Sequence, residues 1–513
     1  MKKLLLGVLL LLAVLSLQAI AQTEYALFDT TATDTFEFWL RTPVNYDRTH
    51  PPAILVWWHG YGANSLELRA TNFPALCDER GWMAASIRGP FDGKHYQGRR
   101  GQHQMDSMLT WAMDTAPFSM DSIYMAGSSM GAAAGLVWHN NHCGIHDFMP
   151  AAVVGGSPIL DCELRQQQYV DSGHTLDAMR AVFGGFPWDS DSIAHEYHRA
   201  SAIRISDTLE SMHFNALHLP AYNTWGTSDN AWNAEWFAYG RPAQALDSLR
   251  RADHADTTKT FCSGINAHGY PVLYQDSVMM WLSGFRANRY PDNISINADE
   301  YDEYYWTKAS LDTQRFTMGR YGAVKDSAHK RLDINLVRNV AALDVEFLFP
   351  WGRFDTLNGH WINRDSVAIP HATIQLTSVP AVREVRRNGA TWAFTYANDT
   401  LTVVIPGSGD YTVIFQPNAA DRPTALQPLE IALSAAYPNP FNSQMVLEIQ
   451  SNISARREIR LFDVTGRLAK TIMANLNPGT QRIMLSGDGL SSGIYFVSIP
   501  GTHQAPAKIV LLK

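Results

Sequence analysis

The chain has 513 residues, of which 46% are hydrophobic and 11% aromatic, enough apolar material for roughly two to four globular domains. Its net charge of -8 is modest for this length and provides no basic face, which argues against nucleic-acid binding. The function therefore has to be read from motifs.

The first 21 residues have the pattern of a secretory signal peptide. Lys2 and Lys3 precede an apolar run over 4–17, and residues 19–21 supply the small-x-small cleavage pattern. The run is too short to span a bilayer comfortably. We predict cleavage after Ala21 and a mature chain without a transmembrane helix.

From 22 to 288, short apolar runs alternate with helical stretches. This pattern predicts an α/β domain with a doubly wound, mostly parallel sheet. The predicted strands are 36–40, 53–58, 82–87, 122–126, 151–154, 219–225 and 259–265. Because parallel sheets bind ligands beyond the C-terminal ends of their strands, we sought functional residues at those ends.

A glycine-rich turn, His59-Gly60-Tyr61-Gly62, follows the predicted strand 53–58. Glycine removes the side chain that would keep backbone N–H groups away from a substrate. We predict that the N–H of Tyr61 is one donor of an oxyanion hole. Taken alone, the motif is equally compatible with an ordinary turn.

The segment Gly127-Ser128-Ser129-Met130-Gly131 lies between a predicted strand and a helical stretch rich in small residues. It fits the nucleophile elbow, in which a strained serine requires small residues two positions before and after it, here Gly127 and Gly131. The pattern predicts Ser129 as nucleophile and the N–H of Met130, at the start of the helix, as a second oxyanion donor.

The four cysteines lie in the first half of the chain, at Cys77, Cys143, Cys162 and Cys262. In an exported protein they permit two disulfides in any of three pairings, although buried free thiols are equally compatible with the sequence. Their spacing lacks the Cys-x-x-Cys pattern of zinc sites, and we predict neither a metal nor a cofactor.

Two further candidates follow the last two predicted strands of this domain: Asp229 and His268. A carboxylate just beyond a strand can accept the Nδ1 proton of a histidine and so fix the imidazole tautomer. Aspartate is also a common turn residue, and most histidines are structural. However, the order Ser129, Asp229, His268 is that of α/β-hydrolase triads, and it predicts a catalytic triad.

With these motifs in place, residues 22–288 resemble an α/β-hydrolase of the secreted esterase and prolyl-oligopeptidase-like group. The matching stretches are 59–62, 127–131, 183–188, 226–229 and 267–269. The resemblance implies Ser129 as nucleophile, His268 as general base and then acid, Asp229 as the group that orients His268, and the N–H groups of Tyr61 and Met130 as oxyanion donors. It also implies that the segment from Cys162 to His218 forms a cap.

Over 289–417 the hydrophobic pattern changes to a period of two with frequent turn residues. Several short strands at this spacing predict an antiparallel β-sandwich. The segment resembles the accessory β-domain of some secreted peptidase-like proteins. We expect it to pack against the hydrolase domain, while polymer binding and shielding of the active site stay open.

A polar linker over 418–433 leads to a final unit at 434–513. Its characteristic stretches are Tyr437-Pro438-Asn439-Pro440-Phe441-Asn442, 461–467 and 492–496. This unit closely resembles the C-terminal sorting domain of type IX secretion, a small β-sandwich. The resemblance implies export by the Sec route, recognition by the type IX machinery, and release or attachment at the cell surface.

Together these features predict a secreted serine hydrolase that acts through an acyl-enzyme. Carboxylic esters are favoured over peptides because the sequence lacks the seven-bladed repeat that gates many prolyl oligopeptidases. Two alternatives stay open: a serine peptidase of the prolyl-oligopeptidase-like type, and a non-catalytic surface protein that keeps the hydrolase fold.

Overall fold

The computed structural model describes residues 22–30, 35–173, 177–228, 234–255, 257–312, 316–346, 355–416, 431–451, 455–463, 468–477, 479–499 and 507–512. The predicted signal peptide and most of the predicted linker lie outside these residues. The chain divides into two compact units, Met1–Gln416 and Pro417–Lys513, each described by itself below.

An eight-stranded sheet forms the centre of the first unit. Its strands are β1 Glu24–Thr30, β2 Thr35–Arg41, β3 Ile54–Trp58, β4 Met83–Ile87, β5 Ile123–Ser128, β6 Ala152–Gly156, β7 Ala221–Trp225 and β8 Thr258–Cys262. They lie in the order β1-β2-β4-β3-β5-β6-β7-β8. The pairs β1–β2 and β2–β4 are antiparallel, and all later neighbours are parallel. This is the α/β-hydrolase arrangement, so the predicted fold class is confirmed.

Helices cover both faces of this sheet. They are α1 Phe73–Arg80, α2 Arg99–Thr115, α3 Ala134–Asn141, α4 Cys162–Asp171, α5 Asp177–Phe183, α6 Asp191–Arg199, α7 Arg241–Ala252 and α8 Gln275–Leu282. Short helical turns lie at Glu67–Ala70, Pro90–Gly93, Ser129–Gly131, Thr208–Glu210, Met212–Ala216, Trp236–Gly240 and Tyr270–Val272. In β3, Ile54, Val56 and Trp58 join one hydrophobic cluster and Leu55 and Trp57 join another. A strand buried on both faces needs the continuous apolar run that made β3 predictable.

The seven strands predicted from apolar runs match β2 to β8 to within a few residues at each end. The prediction missed β1, which lies at the edge of the sheet and pairs only with β2. The four cysteines are all free thiols, and Cys77, Cys143 and Cys162 are buried while Cys262 is exposed. The sequence allowed either two disulfides or free thiols, and the structure contains free thiols.

The rest of the first unit is a β-sandwich, as predicted. Its strands are β9 Asn293–Ala298, β10 Glu303–Tyr304, β11 Thr307–Leu311, β12 Gly319–Asp326, β13 Arg331–Arg338, β14 Val340–Glu346, β15 Thr356–Asn363, β16 Thr373–Thr377, β17 Val382–Arg387, β18 Ala390–Trp392, β19 Phe394–Ala397, β20 Thr400–Val404 and β21 Gly409–Phe415. One sheet has the order β10-β11-β14-β16-β20-β19 and the other β18-β17-β21-β15-β13-β12-β9.

The sandwich differs from the prediction in two strand pairs, β13–β15 and β14–β16, which are parallel. The four consecutive strands β13 to β16 alternate between the two sheets. The chain therefore leaves the sheet of β13, crosses to the other sheet as β14, and returns as β15 parallel to β13; β16 is parallel to β14 in the same way. A period-two pattern locates strands but carries no information about the direction of their neighbours, so the sequence did not reveal this.

The sandwich packs directly on the hydrolase part of the first unit. Cys143, Ile145 and Met149, which follow α3, belong to the hydrophobic cluster of the sandwich. The N–H of Tyr305 donates a hydrogen bond of 2.8 Å to the carbonyl oxygen of Cys143. Helix α6 is tied to the sandwich by a buried ion pair in which Arg199 Nε lies 2.7 Å from an oxygen of Asp299. The two parts thus share one packed interior.

The second unit consists of two small sheets around one hydrophobic cluster. Its strands are β22 Ile431–Tyr437, β23 Gln444–Ser451, β24 Ala455–Asp463, β25 Leu468–Leu476, β26 Gly479–Ser486, β27 Gly493–Ser498 and β28 Ala507–Leu511. The sheets have the orders β22-β23-β26 and β25-β24-β27-β28. Leu447, Ile459 and Ile509 are fully buried between them. Across the described parts of both units, every helix is too short or too polar to cross a membrane.

The buried ion pair between α6 and the sandwich predicts a specific loss of stability. Both side chains are at most 3% exposed, and Tyr304 also donates to Asp299. Burial acts to raise the pKa of Asp299, but Arg199 and Tyr304 outweigh it and the pKa is lowered. Asp299→Asn removes the carboxylate closest to the buried guanidinium and leaves only the longer contact of 3.6 Å with Glu300. We expect the free energy of unfolding in urea at pH 7 to fall by about 3 kcal/mol.

The difference in unfolding free energy between wild type and Asp299→Asn decreases as the pH falls. Because the folded-state pKa of Asp299 is below 3.8, its stabilisation is fully present above pH 3.8 and is lost as the pH falls through the folded-state pKa. The gap between wild type and Asp299→Asn is therefore smaller at pH 3 than at pH 7. The control Glu384→Gln removes the carboxylate paired with Arg386 on the surface, and its loss of unfolding free energy is expected to be much smaller. Equal losses in both variants would contradict this account.

Candidate active site

Ser129 occupies a strained position between β5 and α3. Its φ of 52° lies in the left-handed region, which residues other than glycine rarely adopt. The helical turn Ser129–Gly131 follows at once. This strand-turn-helix geometry is the one that the elbow pattern predicts, and at the start of such a turn the backbone N–H groups have no partner within the helix.

Two glycines make this turn possible. A Cβ atom on Gly127 would lie 2.2 Å from the carbonyl oxygen of Gly131, and one on Gly131 would lie 2.4 Å from the carbonyl oxygen of Trp58. Both neighbours are backbone atoms, which cannot rotate away as a side chain would. The elbow is therefore packed directly against the C-terminal end of β3, and any larger residue at either position forces the two apart.

His268 reaches the Ser129 hydroxyl from the loop after β8. Its Nε2 atom lies 2.7 Å from Ser129 Oγ. The loop is fixed by its own backbone, since the N–H of Gly269 donates to Ser157 Oγ at 3.1 Å and the N–H of Tyr270 donates to Ser128 Oγ at 2.9 Å. The structure thus brings together the two residues that the sequence analysis proposed as nucleophile and base.

The carboxylate that bonds His268 belongs to Glu235. Its Oε1 atom accepts a short hydrogen bond from Nδ1 of His268. Its Oε2 atom accepts from Ser157 Oγ at 2.7 Å and from the N–H of Gly226 at 3.0 Å. The Glu235 side chain is 1% exposed. A buried carboxylate is tolerated where donors surround it, and here three donors also fix its orientation.

This corrects the expected partner of His268. The sequence analysis gave that position to Asp229, which lies outside the described residues, and the group found on Nδ1 is Glu235, six positions later. The prediction of Asp229 rests on a carboxylate just beyond a strand and on the chain order of Ser129, Asp229 and His268. A usable signal was present in the sequence: Glu235 is an acid between Ala234 and Trp236, and the triad order accepts glutamate as readily as aspartate.

The turn after β3 lies beside the elbow, because Gly131 packs against the backbone of Trp58 and His59. Ala63 N–H donates to the carbonyl oxygen of Gly60, closing the turn at 3.2 Å. Glu67 supports it from behind by accepting from the N–H of Gly60 at 3.0 Å and from the Trp57 indole at 2.9 Å.

Among the described residues, no acceptor is found for the N–H of Tyr61. His59 is fully buried, and its ring bonds the carbonyl oxygens of Gly60 and Arg88. Its place is therefore structural, beneath the turn. The assignment of Tyr61 and Met130 as oxyanion donors stays a prediction.

One group of side chains among the described residues has the spacing of a metal site. Ligand atoms of His146, Glu303 and Glu346 lie within 4.8 Å of one another where the sandwich meets the hydrolase part. His146 Nδ1 is 3.1 Å from both carboxylate oxygens of Glu303, so a hydrogen-bonded ion pair accounts for the contact. None of these residues takes part in the relay around Ser129.

Comparison with known families identifies the second unit. Residues 435–512 match the family described as the secretion system C-terminal sorting domain. The predicted sorting domain is thereby confirmed, and the chain is secreted or attached to the cell surface through type IX secretion. The predicted signal peptide lies outside the described residues and stays a prediction. A search among curated proteins finds no match.

Solved structures resemble the first part of the chain at low sequence identity. They include a fluorophosphonate-binding serine hydrolase F of Staphylococcus aureus, with 13% identity, a TM-score of 0.37, and coverage of 51% of this chain and 98% of that one. An S-formylglutathione hydrolase of the same organism has 14% identity, a TM-score of 0.38, and coverage of 51% and 99%. A hyperthermophilic esterase of Pyrobaculum calidifontis has 15% identity, a TM-score of 0.36, and coverage of 51% and 84%.

The hydrogen bonds of His268 predict which acid controls the reactivity of Ser129. With Glu235→Gln, the amide no longer fixes the imidazole tautomer, and we expect the rate of fluorophosphonate labelling at Ser129 to fall by about 10² to 10⁴. With Asp229→Asn we expect a change of less than about fivefold. Labelling rates are followed by mass spectrometry of the intact chain. A loss in Asp229→Asn as large as that in Glu235→Gln would return the role to Asp229.

Proposed function

We propose that the chain is a secreted serine hydrolase that cleaves carboxylic esters through an acyl-enzyme. The observation that carries this proposal is the unbroken series of hydrogen bonds from Ser129 through His268 to Glu235. A nucleophile, a base in contact with it and a third group that orients the base are the parts that acyl transfer requires.

In the proposed reaction, His268 is neutral before attack, with its proton on Nδ1 and donated to Glu235. Nε2 accepts the proton of Ser129 as Oγ attacks the ester carbonyl carbon, and the imidazolium then gives this proton to the departing alcohol. Water enters by the same route and releases the acid. Glu235 accepts from Nδ1 throughout, and hydrogen bonds from Ser157 and Gly226 hold its other oxygen in place.

The negative charge on the substrate oxygen needs donors on the side of Ser129 away from His268. We assign these to the backbone N–H groups of Tyr61 and Met130. The contact between Gly131 and the end of β3 supports this assignment, since it holds the turn of Tyr61 against the elbow. Backbone donors of this kind are fixed before the reaction, so they lose no free energy by reorganising during it.

An ester substrate is preferred over a peptide on the architecture of the described residues. Their strands form one hydrolase sheet and two sandwiches, and none of these sheets has the repeated-blade arrangement that gates prolyl oligopeptidases. The segment of α4, α5 and α6 approaches these groups through Arg165 of α4, which donates to the hydroxyl of Tyr239 beside His268. In this segment, the buried Tyr197 packs on Phe183 with ring centroids 4.3 Å apart, while Trp188 stacks on Phe186 and stays half exposed.

The proposal predicts hydrolysis of nitrophenyl esters by the full chain and none by Ser129→Ala, which loses the nucleophile. Product release is measured by absorbance, together with fluorophosphonate labelling that is expected in wild type only. Aminoacyl anilides are expected to be cleaved at least about a hundredfold more slowly than esters, since their leaving group needs more help from an acid. Cleavage of anilides with esters untouched would favour a peptidase. Absence of both labelling and hydrolysis would favour a binding protein.

A further inference from the structure

A continuous series of aromatic and charged side chains runs around one side of Ser129. We call it the tyrosine arc, and its members are Tyr61, Tyr96, Tyr169, Arg165 and Tyr239. The rings of Tyr61 and Tyr96 have centroids 6.2 Å apart, and Tyr169 contributes to the raised pKa of the Tyr96 hydroxyl, after burial. The guanidinium of Arg165 lies 4.3 Å from the Tyr169 ring centroid, and Arg165 Nη2 is 3.4 Å from the hydroxyl of Tyr239.

Both ends of the tyrosine arc touch the proposed catalytic groups. At one end is Tyr61, whose N–H is a proposed oxyanion donor. At the other end, the centroid of the Tyr239 ring lies 4.9 Å from that of the His268 ring. The arc therefore extends from the proposed oxyanion donor to the proposed base.

Arg165 lies in the middle of the tyrosine arc. It comes from α4 and is 5% exposed. Its Nη1 atom donates to Gln168 Oε1 at 3.0 Å, and Gln168 in turn donates to the carbonyl oxygen of Phe237. Burial acts to lower the pKa of Arg165, but the hydroxyls of Tyr239 and Tyr169 outweigh it and the pKa is raised. The side chain is therefore a fixed cation hydrogen-bonded to Tyr239, whose ring contacts His268.

The backbone holds the arc in a strained form. Tyr96 has a φ of 36° and Gln97 a φ of 57°, both in the region that favours glycine. Tyr96 is 1% exposed, and Gln97 is anchored by a hydrogen bond from its amide to the carbonyl oxygen of Ile159. Strained residues of this kind persist where the surrounding structure fixes them, and they are concentrated at binding sites.

We propose that the tyrosine arc is the substrate pocket and that Arg165 binds a carboxylate of the substrate. The preferred substrates would then be esters that carry a free carboxylate, either on the acyl side, as in a monoester of a dicarboxylic acid, or on the alcohol side, as in an ester of a hydroxy acid. This inference rests on the proposed function of Ser129. The hydroxyls of Tyr169 and Tyr239 flank the guanidinium and donate to the same carboxylate.

Esterase assays on matched substrates test the preference and show on which side the carboxylate lies. For the acyl side, monomethyl adipate is compared with methyl hexanoate; for the alcohol side, 4-acetoxybenzoate is compared with 4-acetoxybenzamide. We expect wild type to have a kcat/KM at least about tenfold higher for the charged member of one pair, because an ion pair in a water-poor site is strong. Equal values within both pairs would overturn the inference.

Variants separate substrate binding from a structural role of Arg165. In Arg165→Met we expect the ratio of charged to neutral kcat/KM to fall by at least about tenfold, mainly through KM, and Arg165→Lys to keep part of it because a point charge lacks the bidentate geometry. The control Arg180→Met removes a cap arginine that lies over the Phe186 ring, and its ratio is expected to stay at the wild-type value. If Arg165→Met lowered kcat/KM for the charged and the neutral ester equally, so that their ratio stayed unchanged, Arg165 would have a structural role and the proposal would be contradicted.

A measurement on wild type removes the dependence on a folded variant. Millimolar adipate is expected to slow fluorophosphonate labelling of Ser129, while hexanamide at the same concentration is not. Protection by neither compound contradicts the carboxylate site. If the chain neither labels nor hydrolyses any ester, the proposed hydrolase function itself fails. If it labels and hydrolyses the neutral esters without a preference, only the carboxylate inference fails.

Discussion

The contact between two backbone segments, at the end of β3 and at the elbow, is the constraint on which the site depends. Gly131 is pressed against the carbonyl groups of Trp58 and His59, and no side chain fits between them. This contact holds Ser129 in its left-handed conformation and at the same time places the turn of Tyr61 beside it. The nucleophile and the proposed oxyanion donor are thus positioned by one packing event, because neighbouring parallel strands end at the same edge of the sheet.

The buried carboxylate of Glu235 ties the remaining loops to this edge. A carboxylate that is 1% exposed has lost its water, and it regains hydrogen bonds from His268, Ser157 and Gly226. These donors come from the loops after β8, β6 and β7. The hydrogen bonds that a single buried carboxylate requires therefore hold the loops after three strands together. The bond to His268 also sets the tautomer of the histidine that contacts Ser129.

The accessory sandwich belongs to the same interior as the hydrolase part. Residues that follow α3 are buried within the sandwich core, and the pair Arg199–Asp299 fixes α6, which is part of the covering of the site. A domain attached by a buried ion pair and shared apolar contacts is expected to stabilise the catalytic part rather than move freely against it.

The sequence by itself determined every feature whose signal is local. Apolar runs located seven of the eight strands of the first sheet, and the stretch from Tyr437 to Asn442 helped identify the sorting domain. The glycine spacing and the place after β8 predicted Ser129 and His268, whose side chains lie in hydrogen-bond contact. Only the tertiary structure decided that Glu235 is the acid bonded to His268 and that β13 and β15 are parallel. It also decided that the cysteines are free thiols and that Arg165 lies close to the groups around Ser129. These depend on which loops meet in space, because a carboxylate or guanidinium finds its partner across long stretches of chain for which the sequence carries no local pattern.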